Sequence, residues 1–238
     1  NLNHVPDALA AADYAALLKR IVKGVARCND LDATFMAKPY GMQAGSGMHV
    51  HFSVLNEKGE NIYVGEDGPS PALFHSVGGL LENMGESMAI FAPHQNSYRR
   101  LRPSEHAPTY ASWGFDNRSA AVRVITASKP ATRIEHRVAG SDTNPYLVLA
   151  MILSAALAGM KEKTSPGGAI SGDEHAISHE PLPTNWDYAI QRFAKSSFAY
   201  AALGPKYRSL YSACKYQELS EFSLRVTDVE YDAYIRTV

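Results

Sequence analysis

The stretch NPYLVLAMILSAALAGM, residues 144–160, constrains this fold more than any other. Pro145 falls in the first turn, where a helix tolerates proline, and the residues after it are apolar on nearly every side of a helical wheel. Such a helix has no face to offer water. It has to be buried, so the remaining chain must supply layers that enclose it. The sequence holds no uninterrupted run of about 18 apolar residues and no charged-then-apolar leader, so neither a membrane span nor a signal peptide is expected.

The enclosing elements can be read from periodicity. From Asp7, behind Pro6, the residues Tyr14, Leu17, Leu18, Ile21, Val22 and Val25 recur at i, i+3 and i+4, which predicts an amphipathic helix with its stripe in the core. Residues 32–38 (DATFMAK) and 46–55 read as strands, and NEKGENIY supplies the turn that follows. A second helix is predicted over about 70–90, carried by Phe74, Val77, Leu80, Leu81, Met84 and Met88. Residues 92–117 form a loop rich in charge, aromatics and proline, and strands follow near 119–126 and 132–138. The Gly/Pro/Ser-rich 161–185 reads as an exposed excursion, in which His175 and His179 are surface residues. From Trp186 to Val238 the pattern is of short helices with an aromatic-rich face.

With 238 residues, 45% hydrophobic and 20% charged, the chain has the composition of a soluble globular protein able to bury a sizeable core. A formal charge of -1 gives no global electrostatic reason to bind nucleic acid or an anionic membrane. Cys28 and Cys214 are far apart, without metal-knuckle spacing, which fits a reducing cytoplasm. The sequence starts at Asn1 rather than Met, so a fragment of a longer protein is expected.

Two short strands concentrate the chemistry. In GSGMHVHFS, residues 45–53, alternation puts Met48, Val50 and Phe52 on one face and His49, His51 and Ser53 on the other. That polar face is either the solvent side of a half-buried strand or a metal or nucleotide site. In TRIEHRV the same rule gathers Arg133, Glu135 and Arg137 opposite Ile134, His136 and Val138. A solvated salt-bridge ladder would look alike. Upstream, however, Arg99, Arg100, Arg102, Arg118 and Arg123 add a cluster suited to phosphate and carboxylate oxygens. No P-loop or Rossmann glycine motif is present. A histidine strand, a glutamate strand and arginines between them would together make a site for Mg²⁺ or Mn²⁺ and phosphate, although His49 and Glu135 are too few ligands to close it.

GSGMHVHFS, NSYRRLRPSEHAPTYASWGFDNRSAAVRV and RIEHRVAGSDTNPYLVLAMILSAALAGM are similar, in order and at comparable spacing, to the signature blocks of the glutamine synthetase catalytic domain. The resemblance extends over nearly all 238 residues. It implies an α+β fold whose antiparallel strands line a metal- and nucleotide-binding cavity. The chain would be the C-terminal portion of that domain, lacking the small N-terminal β-grasp domain and the remaining metal carboxylates, and inactive alone. The activity implied is ATP-dependent ligation of an amine to the γ-carboxyl of glutamate through γ-glutamyl phosphate, in a cytoplasmic homo-oligomer with active sites shared between subunits. By position, His49 and Glu135 match metal ligands, His51 and Ser53 match positions near ATP, and Gly45 matches a backbone contact to glutamate. Arg100, Arg118 and Arg123 match arginines holding the glutamate carboxylate and the transferring phosphate, and Arg137 matches another glutamate contact.

Two positions depart from the ammonia-using pattern. Ala44 stands where asparagine is usual, and His106 where a flap glutamate closes the site and takes a proton from ammonium. With the EHRVAG variant, these departures resemble the γ-glutamylputrescine and γ-glutamylpolyamine synthetases, so putrescine or a polyamine is the expected amine and His106 a catalytic base. Glutamine synthetase proper, a catalytically silent relative and, on the bare His-x-His signal, a metal-dependent hydrolase are the competing readings.

Overall fold

The computed structural model describes residues 1–102, 107–172 and 180–238. The apolar helix is α4, Pro145–Glu162, and its partner is α2, Pro71–Met84; contrary to expectation α4 is not enclosed on every side, since Tyr146 is 40% and Leu157 47% exposed. Both begin alike, with proline in the first turn behind a side-chain cap. Ser70 accepts from the Leu73 N–H, and Asn144 from those of Tyr146 and Leu147. Lys163, in the left-handed conformation, ends α4. The two helices cross through glycines: a methyl group on Gly79 would run into the Ala155 carbonyl and the Gly159 backbone. That contact brings Leu73, Val77, Leu80 and Met84 against Val148, Met151, Ile152 and Ala155, all in the same core cluster. Each such side chain contributes about 1.5–3 kcal/mol when fully buried. α4 is 18 residues long and, by length and composition alone, passes as a membrane-crossing helix, although Ser154, Lys161 and Glu162 interrupt its apolar run; here α2 packs along one side of it.

Four short strands lie beside these helices: β1 Val50–Phe52, β2 Trp113–Phe115, β3 Val122–Ile125 and β4 Arg133–His136, in the order β1-β4-β3-β2. β4 is antiparallel to both β1 and β3, as expected. β2 instead runs parallel to β3, because residues 116–121 carry the chain back to the Trp113 end, where Val122 pairs with Trp113. The sheet turns Ile134, Val122 and Val124 into the core. α3, Met88–Phe91, continues α2 after a 3₁₀ turn, and a second 3₁₀ turn, Gln95–Arg99, opens the long loop. Beyond α4, α5 (Trp186–Lys195) adds Trp186, Ile190 and Phe193 to the core, followed by α6 (Ser197–Leu203), α7 (Pro205–Ser223) and α8 (Asp228–Tyr234).

Further expectations fail here, among them the loop over residues 92–117, which contains β2. Residues 32–38 form no strand; the Lys38 backbone is tied instead by the Asn96 side chain, which donates to its carbonyl and accepts from its N–H. The stripe of α1, Ala8–Arg27, does not enter the core: Leu17 is 49% exposed and Ile21 58%, and Ala12 is the buried residue of the helix. α1 is held to the start of α4 by polar contacts, with Lys19 Nζ donating to the Thr143 carbonyl and the Tyr146 hydroxyl donating to Asp13. Nor is 161–185 simply an exposed excursion. Ile170 donates to the Trp113 carbonyl and is buried, as is Leu182, which bonds to Thr109.

Candidate active site

The register of the sheet assembles the site. His51 pairs with Glu135, and Glu135 with Arg123, so three side chains from β1, β4 and β3 stand in one row across a single face. The next row, Val50, His136 and Val122, belongs to the opposite face. The alternation that separates Glu135 from His136 therefore separates a charged surface from the core.

Glu135 is the centre of the row and is 2% exposed. Arg137 Nη1 donates to its Oε1 at 2.6 Å, and Arg123 Nη1 to its Oε2 at 3.1 Å. His49 Nδ1 lies 3.1 Å from Oε1, and His51 Nε2 lies 3.6 Å from it. Burial alone would raise the carboxyl pKa, but the His49 hydrogen bond, the Arg137 charge, His51 and Arg123 outweigh it and hold the group down at about 2. A buried carboxylate with two guanidiniums and two imidazoles is not a solvated ladder, which excludes that reading of TRIEHRV. Partial burial lowers the His51 pKa, with Glu135 opposing the shift; its Nδ1 accepts from Arg133 Nε at 3.2 Å.

The other expected residues are placed less uniformly. Ser53 follows β1 and is half-buried. Arg118 is exposed, on the return between β2 and β3, with no ion-pair partner among the described residues. Arg100 is not brought to Glu135. Its guanidinium is buried and donates to the Val138 and Arg137 carbonyls, at 2.8 and 3.3 Å, and burial lowers its pKa to about 10. Gly45 and Gly47 pack on that side chain, so closely that a Cβ on Gly47 would come within 2.7 Å of Arg100 Nη2. Arg100 thus braces the exit of β4 against the glycine segment. His106 and Glu105 lie outside the described residues, as do His175 and His179.

His136 is 1% exposed, and its ring centroid is 4.5 Å from that of Phe91. Neither ring nitrogen has a hydrogen-bond partner among the described residues, and burial lowers its pKa to about 3. It is a neutral core residue. Two polar residues escaped the sequence reading. Asp116, at the end of β2, accepts from Arg123 Nη2 at 2.9 Å; the only sequence signal for it is the Asp-Asn turn pair. Asp142 accepts from Ser97 Oγ at 2.6 Å with His94 Nδ1 at 3.1 Å, fixing the 3₁₀ turn that precedes Arg100.

As a cation site the row is partial. Glu135 and His49 offer one carboxylate and one imidazole, donor types that suit Mn²⁺ or Mg²⁺. Among the described residues no set of three His, Cys, Asp or Glu gathers as a ligand cage. The residues present thus fit one edge of a divalent-metal shell.

Comparison with known proteins matches residues 1–234 to a family described as the glutamine synthetase catalytic domain. The chain is similar to the γ-glutamylputrescine synthetase PuuA of Escherichia coli K12, with 39% identity over 97% of this chain and 49% of the relative. A glutamine synthetase of Pyrococcus abyssi is 38% identical, over 96% and 56% of the two chains. Among solved structures, one titled as a GmaS/ADP complex superposes with a TM-score of 0.87 at 32% identity, covering 96% of this chain and 55% of that one. The chain spans about half the length of the curated relatives it matches.

Proposed function

Because this chain belongs to the glutamine synthetase catalytic-domain family, we propose that the protein it is part of is an ATP-dependent glutamate–amine ligase, with these strands as part of its active site. The observation that supports this most is Glu135, a buried carboxylate kept ionised between guanidiniums and imidazoles on one sheet face. A fold has no structural need for such a group, and phosphoryl transfer has a direct use for it.

In the reaction, a γ-carboxylate oxygen of glutamate bonds to the γ-phosphorus of ATP as the bond to the β–γ bridging oxygen breaks, releasing ADP. The amine nitrogen then attacks the acyl carbon, phosphate leaves, and the amine gives up a proton. Arg123 and Arg137 carry fixed positive charge beside the row, and the exposed Arg118 is free to meet an anionic oxygen. Enzymes of this family use ATP and divalent metals; here Glu135 with His49 would hold one edge of the cation, whose charge offsets that of the phosphoryl oxygens.

The amine we assign is putrescine or a longer polyamine. Support comes from the named PuuA relative and from His106, which replaces the fixed negative charge of a flap glutamate with an imidazole, a side chain that can accept a proton. Relatives named as glutamine synthetases favour ammonia as the second reading. Steady-state kinetics of the full-length protein at pH 8 decide it: kcat/KM for γ-glutamyl amide formation should be higher with putrescine than with ammonia. Ammonia as the best amine would overturn the amine assignment and leave the ligase reading standing. No ADP release with any amine would overturn both.

A further inference from the structure

Arg123 stands between two carboxylates. Its Nη1 donates to Glu135 at 3.1 Å and its Nη2 to Asp116 at 2.9 Å, while its buried Nε has no partner among the described residues. A guanidinium beside a single carboxylate commonly closes on it with both nitrogens. Here the fork is divided, and the residue that divides it holds an unfavourable backbone conformation. Asp116 has φ 45°, in the left-handed region where glycine would sit without penalty. The turn around it is fixed on both sides. The Asp116 N–H donates to the Val124 carbonyl, and the Asn117 side chain bonds to Ser119 and to the Gly172 carbonyl. Nothing in that turn requires a carboxylate except Arg123, and the Asp116 side chain is otherwise 57% exposed.

We propose that Asp116 is a positioning residue for Arg123: by taking Nη2, it limits the guanidinium to one bond to Glu135 Oε2 and so keeps a remaining lone pair of that oxygen for a divalent cation. This rests on the ligase reading for its purpose and on geometry alone for its mechanism.

The test uses Asp116→Gly and Asp116→Asn in the full-length protein. Glycine relieves the left-handed φ and removes the competing charge, so Tm should hold or rise. In its crystal structure, both Arg123 Nη atoms should fall on Glu135. Calorimetric Mn²⁺ affinity and kcat should each drop about tenfold, with KM for ATP changed less. Asparagine tolerates the same φ and keeps an acceptor oxygen without the charge, so its loss should be smaller. An unmoved Arg123, Mn²⁺ affinity and kcat within about twofold of wild type, or losses that track a falling Tm would each overturn the proposal. A wild-type protein inactive with every amine would remove the ligase reading only, since the crystal and Mn²⁺ readouts need no turnover.

Discussion

Glu135 and His136 are neighbours in the chain, equally buried, and both titrate well below their ordinary range, yet they are opposite cases. On one face of β4, burial works against the Glu135 charge, but two guanidiniums and two imidazoles outweigh it, so the group is ionised. On the other face, burial works against a His136 charge and nothing opposes it, so the ring is neutral. Partners decide the first and cover decides the second. Adjacent positions on one strand thus differ less in depth than in what surrounds them.

The sharpest way to break this contrast is to exchange charge for shape on each face. Glu135→Gln keeps the outline and removes the charge, leaving Arg137 without its carboxylate and Arg123 with Asp116 alone. Turnover of the full-length protein should fall by about 10²-fold or more, and urea unfolding should show a loss of about 3 kcal/mol. The same exchange at His136, to Phe, should leave turnover within about threefold, because the ring is a packing group. Comparable losses of turnover at matched stability would erase the distinction between the faces.

Acid separates them next. Unfolded, His136 takes a proton below about pH 6.5; folded, it does so only near pH 3. The unfolded state therefore binds more protons throughout that window. The stability tied to this depressed pKa is complete above 6.5 and is lost as pH falls toward 3. His136→Phe should flatten that part of the decline, read as a shallower fall of the denaturant midpoint between pH 6.5 and 4. An unchanged slope would show that the ring is not the group being protonated.

The smallest expected effect is on α1, where Ile21→Ser alters a strongly apolar pattern that stays exposed among the described residues. Stability should change by under about 0.5 kcal/mol. A loss of 2 kcal/mol or more, of the kind that core positions show, would mean that pattern alone, without cover, sets the energetic weight of a residue.

That last case marks where reading the sequence stops. Local geometry was legible: alternation sorted Arg133, Glu135 and Arg137 from Ile134 and His136, apolar periodicity placed α2, and Pro145 placed the start of α4. Pairing across distance was not. The row His51–Glu135–Arg123 depends on a register joining residues more than eighty positions apart, and no local period encodes it. An apolar stripe on α1 states that a helix can be covered, not by what. Arg100 matched a substrate-holding arginine by resemblance, and the two backbone carbonyls that its guanidinium binds beside the site were not legible in the sequence. Ile170 and Leu182 are single apolar residues in a Gly/Pro-rich stretch, with no repeat to betray their burial.

The glycine crossing of α2 and α4 also bears on how the chain folds in time. Roughly sixty residues separate Met84 from Pro145, so the apolar face of α2 is synthesised well before the helix that covers it. Closing that contact requires a long loop to be ordered first, which makes the pair a late and slow event. Until then Leu73, Val77 and Leu80 are open to competitors, and crowded refolding should lose more protein to aggregation than dilute refolding does. The same glycines that let two helices meet so closely leave no room for a loose, half-formed version of the contact.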